Sequence, residues 1–304
     1  MPRGTAPKAP HPRAARSDSA TLIGFGAVLL WALLALLTVG SAPVPPFQLS
    51  AISFAIGGAL GLVWIVRGGQ GLGPLRTVRW PVWCLGIGGL FGYHFLYFSA
   101  LRLAPPAEAG LIAYLWPLLI VLFSGALPGE HLRPMHILGA LLALSGAALL
   151  ILRDGLTGPV DAGVMLGYAL AGLCALVWSG YSVLSRLAGS TPTQSVTVFC
   201  LAAAALSVPA HLMFEQTVWP ASWTGWGSVL ALGAGPVGLA FYLWDIGMKR
   251  GDIQLLGVAS YAAPLLSTLV LVMAGIARPS PVLLLSAALI AGGALLAARA
   301  GRNR

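Results

Sequence analysis

Acidic residues are scarce in this sequence. Eight Asp and Glu are scattered through 304 residues, and no two fall at helical spacing. The paired carboxylates that carry acid–base chemistry are therefore missing. Cysteine is sparser still: Cys84, Cys174 and Cys200 all lie inside apolar runs without metal-ligand spacing. They read as small packing residues rather than a disulfide or a catalytic thiol. No Gly-x-x-x-x-Gly-Lys-[Ser/Thr] loop occurs, so ATP hydrolysis by this chain is not expected, and no ATPase partner is implied. His-Glu-x-x-His and Gly-x-Ser-x-Gly are absent as well. The sequence thus implies no cofactor, no metal and no enzyme, and no gap between apolar runs is long enough for a soluble domain.

What is there is apolar. Charged residues make up 8% and hydrophobic ones 58%, with a mean hydropathy of +0.88. Soluble domains carry roughly a quarter charged residues, so lipid rather than water is expected to solvate most of the surface. A net charge of +9 would suggest nucleic acid in a soluble chain. Here the cations sit in short gaps between apolar runs, where they act as topology signals and headgroup contacts. No nucleic-acid partner is expected; the bilayer is.

A bilayer core of about 30 Å needs roughly 20 apolar residues per helix. Ten spans are predicted: 20–40, 47–66, 82–103, 107–127, 134–152, 162–187, 195–214, 226–248, 253–274 and 281–299. Placing alternate gaps on alternate sides puts 14 of the 17 Lys and Arg on the side of the N-terminus, leaving Arg102, Arg153 and Arg278 opposite. The positive-inside rule then sets both termini in the cytoplasm. The basic leader and Val39-Gly40-Ser41-Ala42 imitate a signal peptide, but the first span has a partner in the second half and reads as a permanent helix. Residues 1–18, rich in Pro, Ala and Arg, read as a disordered cytoplasmic tail.

A shift of 147 residues reveals an internal repeat. Trp31 falls on Trp178, Pro45 on Pro192, Gly110 on Gly257, Tyr114 on Tyr261, Pro117 on Pro264, Pro134 on Pro281 and Gly146 on Gly293. The predicted units are residues 19–153 and 162–300, each of five spans. An odd number inverts the second unit, giving an all-α membrane protein of two inverted five-helix repeats. That arrangement typifies secondary transporters, with the site at the repeat interface near midplane.

Residues that lipid would penalise mark the path. The third span carries Tyr93, His94 and Tyr97; the fourth Glu108, Tyr114, Trp116 and Pro117; the eighth Tyr242, Trp244 and Asp245. Trp31 lies in the first span, Trp178 and Tyr181 in the sixth, and Tyr261 before Pro264 in the ninth. Trp64, Trp80, Trp83, Trp219, Trp223 and Trp226 sit at span ends and suit an interfacial belt. The candidate substrate-binding set is Trp31, His94, Tyr97, Tyr114, Trp116, Trp178, Tyr181, Tyr242 and Tyr261, against the alternative of plain helix packing. Aromatic walls suit an amphipathic solute with a flat apolar portion, or a cation on ring faces. His94 reads either as a ring bonded to a backbone carbonyl or as a substrate or proton-coupling contact. Asp245, one turn before Lys249, reads first as a surface ion pair, and Glu108 as a loop contact of Arg102; both remain candidate coupling sites. Pro117 and Pro264 are candidate hinges. Gly57-xxx-Gly61, Gly88-xxx-Gly92 and Gly163-xxx-Gly167 read as close-packing scaffold.

Several strings carry a resemblance: Ala20-Thr-Leu-Ile-Gly24 leading to Leu30-Trp31; Glu108-Ala-Gly110 leading to Tyr114-Leu-Trp-Pro117; Trp178; and Trp244-x-x-Gly247 through Gly251 to Gly257-x-x-Ser260-Tyr261-x-x-Pro264. Over residues 20–300 the chain resembles the drug/metabolite transporter superfamily in its EamA-type branch, and within it the aromatic amino acid exporters. The resemblance implies an inner-membrane exporter moving aromatic, and other neutral, amino acids to the periplasm. It implies a central cavity receiving Tyr114, Trp116, Trp178 and Tyr261. Two rivals stand beside it: a multidrug or cationic-metabolite exporter of the same fold, and a membrane-embedded lipid-modifying enzyme.

Overall fold

The computed structural model describes residues 17–69, 71–152, 161–276 and 278–302. Residues 1–16 of the expected tail, and Arg153, lie outside them. The described residues are mostly helical with no strand among them; besides a short 3-10 turn at Gly73–Thr77, the helices run as ten rods: α1 (Asp18–Gly40), α2 (Pro46–Arg67), α3 (Trp80–Leu103), α4 (Pro106–Ser124), α5 (Pro134–Ile151), α6 (Ala162–Leu187), α7 (Ser195–Phe214), α8 (Trp223–Arg250), α9 (Ile253–Met273) and α10 (Pro281–Arg302). All but α5 are long and apolar enough to cross a bilayer; the apolar stretch of α5 is shorter, Pro134–Leu149.

The helix starts follow from local chemistry. Pro46, Pro106, Pro134 and Pro281 stand in the first turn, where a missing N–H costs nothing. Ser17, Asp161, Ser222 and Asp252 instead accept a first-turn N–H on a side-chain oxygen. Leu22, Val66, Leu138, Leu212, Leu284 and Leu295 stay largely exposed, an outer surface suited to acyl chains rather than water.

Interior packing relies on small residues. Helix α5 crosses α10 so closely that a Cβ on Gly139 would lie 2.6 Å from the Gly293 carbonyl oxygen. One on Gly146 would lie 2.9 Å from the Ser286 carbonyl. Gly24 of α1 meets Gly247 of α8, and Ala100 of α3 shares a buried cluster with Ala171 of α6. Helix α2 packs along α7, and the first turns of α9 pack on the second half of α4. Without a hydrophobic driving force in lipid, such close backbone approach is what van der Waals packing needs.

Five rods are interrupted in mid-course, α1 among them, at Ala32-Leu33 just after Trp31. α3 widens into a π-turn at Gly88–Gly92 and α8 does so at Gly235–Leu239. α4 turns at Tyr114-Leu115 before Trp116-Pro117, and α9 turns at Ser260-Tyr261 before Pro264. The two π-turns are 147 residues apart, the shift of the sequence repeat. Gly88-xxx-Gly92, expected as plain scaffold, is thus itself a helix break.

Candidate functional site

At the centre of the bundle four tryptophans from four helices meet. Trp31 at the break in α1 lies 6.1 Å from Trp116, 6.0 Å from Trp178 and 5.1 Å from Trp244 between ring centroids. Trp116 lies 6.3 Å from Trp178 and 5.8 Å from Trp244, both edge-on. Edge-to-face contact at such distances sets a positive ring edge against a negative face. Phe241 closes the group at 5.7 Å from Trp178, and stacks on Phe54 of α2 at 5.6 Å.

The polar edges of these rings are fixed. The Trp31 indole donates to the Pro236 carbonyl at 3.1 Å, in the π-turn of α8. The Trp244 indole donates to the Ser182 hydroxyl at 3.1 Å. Locked indoles present fixed faces, the pre-organisation that aromatic recognition uses. Trp244 is 1% exposed.

Beside this buried group runs a partly open wall. Tyr93, His94, Tyr97 and Tyr114 lie mid-helix yet retain accessible surface. Tyr97 stacks on Tyr93 with rings 5° from parallel, and Tyr93 reaches Trp178 at 5.2 Å. His94 Nδ1 lies 2.8 Å from the Leu90 carbonyl oxygen. That oxygen only accepts, so Nδ1 carries the hydrogen, and in a neutral ring Nε2 would be the accepting nitrogen. Phe54 and Phe241 pack around it at 4.9 and 6.0 Å.

Trp31, Trp116, Trp178, Tyr181, His94, Tyr97 and Tyr114 therefore form one continuous aromatic region. The other two members of the predicted set lie apart. Tyr242 faces α2 and α7, its hydroxyl donating to the Gly57 carbonyl at 3.1 Å. Tyr261 is fully buried between α4, α5 and α10, accepting the Leu118 N–H at 3.2 Å. It braces the break in α4, next to Pro117. Trp244, expected on the path but outside the binding set, joins the centre, as do Phe241 and Phe54, which the sequence did not single out.

Charged groups cluster at both ends. At the end where α1 begins and α8 finishes, Lys249 Nζ lies 2.8 Å from Asp245 Oδ1 and donates to the Thr191 carbonyl at 3.0 Å. The Thr193 hydroxyl donates to Asp245 Oδ2 at 2.8 Å. The sequence reading made this a surface pair; the two residues are only 2% and 8% exposed, because α6 and α7 fold their connection over them. Nearby, Arg186 reaches Glu130 at 2.8 Å and donates to the Met248 and Gly251 carbonyls.

At the opposite end Glu215 takes the N–H groups of Phe47 and Gln48, the Arg102 guanidinium at 2.8 Å and His211 Nδ1 at 2.9 Å. Arg102, expected beside Glu108, is thus engaged across the bundle. Glu108 instead accepts the Tyr168 hydroxyl. Among the described residues no three His, Cys, Asp or Glu are placed to hold a metal ion.

Comparison with known proteins agrees with this architecture. The model of the EamA-like transporter family matches residues 18–152 and again 165–299. The aromatic amino acid exporter YddG of Ancylobacter novellus is 59% identical over 287 residues, covering 94% of this chain and 99% of its own. The Escherichia coli K12 protein of that name is 28% identical over 83% of this chain and 87% of its own. The pseudopaline exporter CntI of Pseudomonas aeruginosa is 31% identical over 66% of this chain and 67% of its own. A solved crystal structure at 58% identity superposes with a TM-score of 0.88, covering 95% of this chain and 100% of the other.

Proposed function

The chain belongs to the EamA-like transporter family, a multi-pass membrane transporter rather than an enzyme, and from that premise we propose that it exports aromatic amino acids by alternating access. The observation that carries the cargo is the central aromatic region of Trp31, Trp116, Trp178 and Trp244, beside the partly open wall of Tyr93, His94, Tyr97 and Tyr114. A cluster of indole and phenol rings offers edges and faces against which the side chains of Phe, Tyr and Trp can pack. The 59% identity to a protein named as such an exporter supports the same reading.

In this reading ten helices span the inner membrane as two inverted units, residues 19–153 and 162–300, with both termini cytoplasmic. Four features support a two-fold relation between the units, which five spans per unit turn into an inversion. α2 pairs with α7 and α5 with α10, each helix with its own repeat counterpart. The α1–α8 pair has its image in α6–α3, and the Gly139–Gly293 crossing has its image in Gly146–Ser286. An in-plane two-fold axis generates such pairings, and it supplies the two related states that transport requires. The excess of cations on the side of the termini supports the orientation.

Cargo then lodges against Trp178 and Trp31, with Tyr97, Tyr114 and the His94 Nε2 lone pair within the same wall. The turns at Tyr114-Leu115 and Ser260-Tyr261, with Pro117 and Pro264, let α4 and α9 bend as each side opens. Tyr242 and Tyr261 brace helices in this scheme, while Glu108 couples through Tyr168. Nothing in the chain hydrolyses ATP, so the gradient of substrate, or of a coupled ion, drives the step.

Proteoliposomes containing only this protein test the proposal. Labelled Phe, Tyr and Trp are expected to move faster than into empty vesicles, and Trp178→Leu to lower that rate by about tenfold. If none of the three moves while another solute does, the cargo is wrong.

A further inference from the structure

Beneath Tyr181 the structure holds a void of about 10 Å³, room for roughly one water, lined by Val82, Leu85, Tyr181, Phe199, Asp245 and Lys249 among others. Val82, Leu85 and Ala188 also line a cavity of about 560 Å³ that opens between the start of α3 and the end of α6, with Arg79 and Thr191 on its rim. The two spaces share walls, and the inner one ends on Tyr181, whose ring lies 5.3 Å from Trp178. The two spaces lie in succession between the end of the bundle carrying the N-terminus and Tyr181, the neighbour of Trp178. The packing narrows where Gly86 meets the Phe199 ring and Gly89 meets Tyr181; a Cβ at either glycine would overlap those rings at 2.2 and 2.5 Å.

One acid and one base stand at this narrowing, both on α8 and both buried. Removing two charges from water is costly, and a buried pair is weak evidence for stability alone. Ionisable side chains within a membrane span more often mark a pathway. A single turn of helix offers Asp245 and Lys249 as one carboxylate and one ammonium a few ångströms apart. A neutral amino acid carries the same two groups in complementary order. The central aromatic region offers no such charge pair.

We propose that Asp245 and Lys249 form an entry station for the zwitterionic head of the cargo at the cytoplasmic mouth, a subsite that rests on the transport reading above. When the first half of α3 draws away from Phe199 and Tyr181, the pair exchanges its internal contact for the ammonium and carboxylate of the incoming molecule. The aromatic side chain of the cargo then leads toward Tyr181 and Trp178. Because Lys249 balances Asp245, the station favours zwitterions over organic cations.

Inside-out membrane vesicles, which present the cytoplasmic face, test this by inhibition of labelled Phe uptake with unlabelled Phe, phenethylamine and 3-phenylpropionate. Losing one charge-assisted contact costs about tenfold or more in affinity. Lys249→Gln is expected to weaken Phe and 3-phenylpropionate by that factor and to strengthen phenethylamine, whose ammonium then meets a carboxylate without its counter-ion. Asp245→Asn is expected to weaken Phe and phenethylamine and to spare 3-phenylpropionate. An equal loss for all three ligands in both variants, or no loss, overturns the station and leaves a structural pair. The charge-swapped Asp245→Lys/Lys249→Asp protein keeps an ion pair, so selective recovery of Phe in it supports the station, and its failure to recover Phe despite normal folding counts against it. If the wild-type protein transports no aromatic amino acid at all, the cargo reading itself falls.

Discussion

Glu215→Gln is the sharpest test of how the end of the bundle opposite the termini is held. The carboxylate side chain is 1% exposed and gathers donors from three elements: the first turn of α2, the end of α3 and the last turn of α7. Oε1 receives Arg102 Nη2 and the Phe47 N–H, while Oε2 receives the Gln48 N–H and His211 Nδ1. An amide of the same shape turns one of those acceptors into a donor. If the nitrogen replaces Oε1, it faces the Arg102 guanidinium. If it replaces Oε2, it faces the Gln48 N–H, and the His211 tautomer must also change. Either choice leaves one buried donor unsatisfied, at about 1.5–3 kcal/mol for a bond to a charged group. In a domain of 150–250 residues each kcal/mol shifts Tm by about 2–4 °C, so a fall of roughly 3–12 °C is expected in detergent. Arg102→Gln removes the same ion pair from its other side, but that side chain is 40% exposed. Water replaces what the guanidinium loses, and the carboxylate keeps the Phe47 and Gln48 N–H groups and His211, so a smaller fall than for Glu215→Gln is expected. Thermal unfolding of the two purified variants side by side is the assay. A larger fall for Arg102→Gln than for Glu215→Gln would refute the argument from burial.

Three further outcomes are expected. Gly293→Val brings a side chain onto the Gly139 carbonyl, where even a Cβ would lie 2.4 Å away; α5 and α10 must separate, at about 1–3 kcal/mol, while Gly180→Ala, with nothing near its Cβ position, keeps or slightly raises the wild-type Tm. Arg186→Gln removes the guanidinium from Glu130 and from two carbonyls at the terminal end of the bundle, so a cysteine placed at Ala188 in a background without the native cysteines should react faster with a thiol reagent applied from that side. His94→Gln keeps a donor to the Leu90 carbonyl but removes the imidazole lone pair; an unchanged transport rate and pH profile would show that only the Leu90 bond matters.

Much of this was legible in advance, for identifiable reasons. Lipid forces every backbone group to bond within its own segment, so long apolar runs announced helices whatever their packing. The repeat drew attention to Trp31 and Trp178 because both are rare residues at equal offsets, and they meet at 6.0 Å. Trp244 stands out as a path residue of α8 but not as a member of the binding set; its repeat counterpart is Tyr97, a different residue, and it stands one position from a charged one. Phe241 and Phe54 carry no polar atom, so nothing separated them from lipid-facing phenylalanines. Glu215 was invisible for another reason. Its partners at 47, 48 and 102 are more than a hundred residues away, and only its spacing of one turn from His211 hinted at burial. The π-turn at Gly88–Gly92 was read as a packing motif, since glycines at that spacing are common in apolar sequence. Only its image at Gly235–Leu239 gives the break a meaning.

The distribution of charge sharpens the choice between cargoes. A cation exporter of this fold needs an acid that faces the path without a built-in counter-ion. Asp245 is the acid nearest the central aromatics, and Lys249 holds it at 2.8 Å from one turn away. Neutralising Asp245 by mutation would help a cation exporter little, since the Lys249 ammonium would then repel the cargo. Removing Lys249 alone tells the two apart. It leaves an unpaired carboxylate on the path, so Lys249→Gln should gain affinity for a flat organic cation while losing it for Phe. That inversion is foreign to a protein selected for cations, whose wild type would already prefer them. A wild-type protein that takes phenethylamine in preference to Phe would point to the multidrug reading.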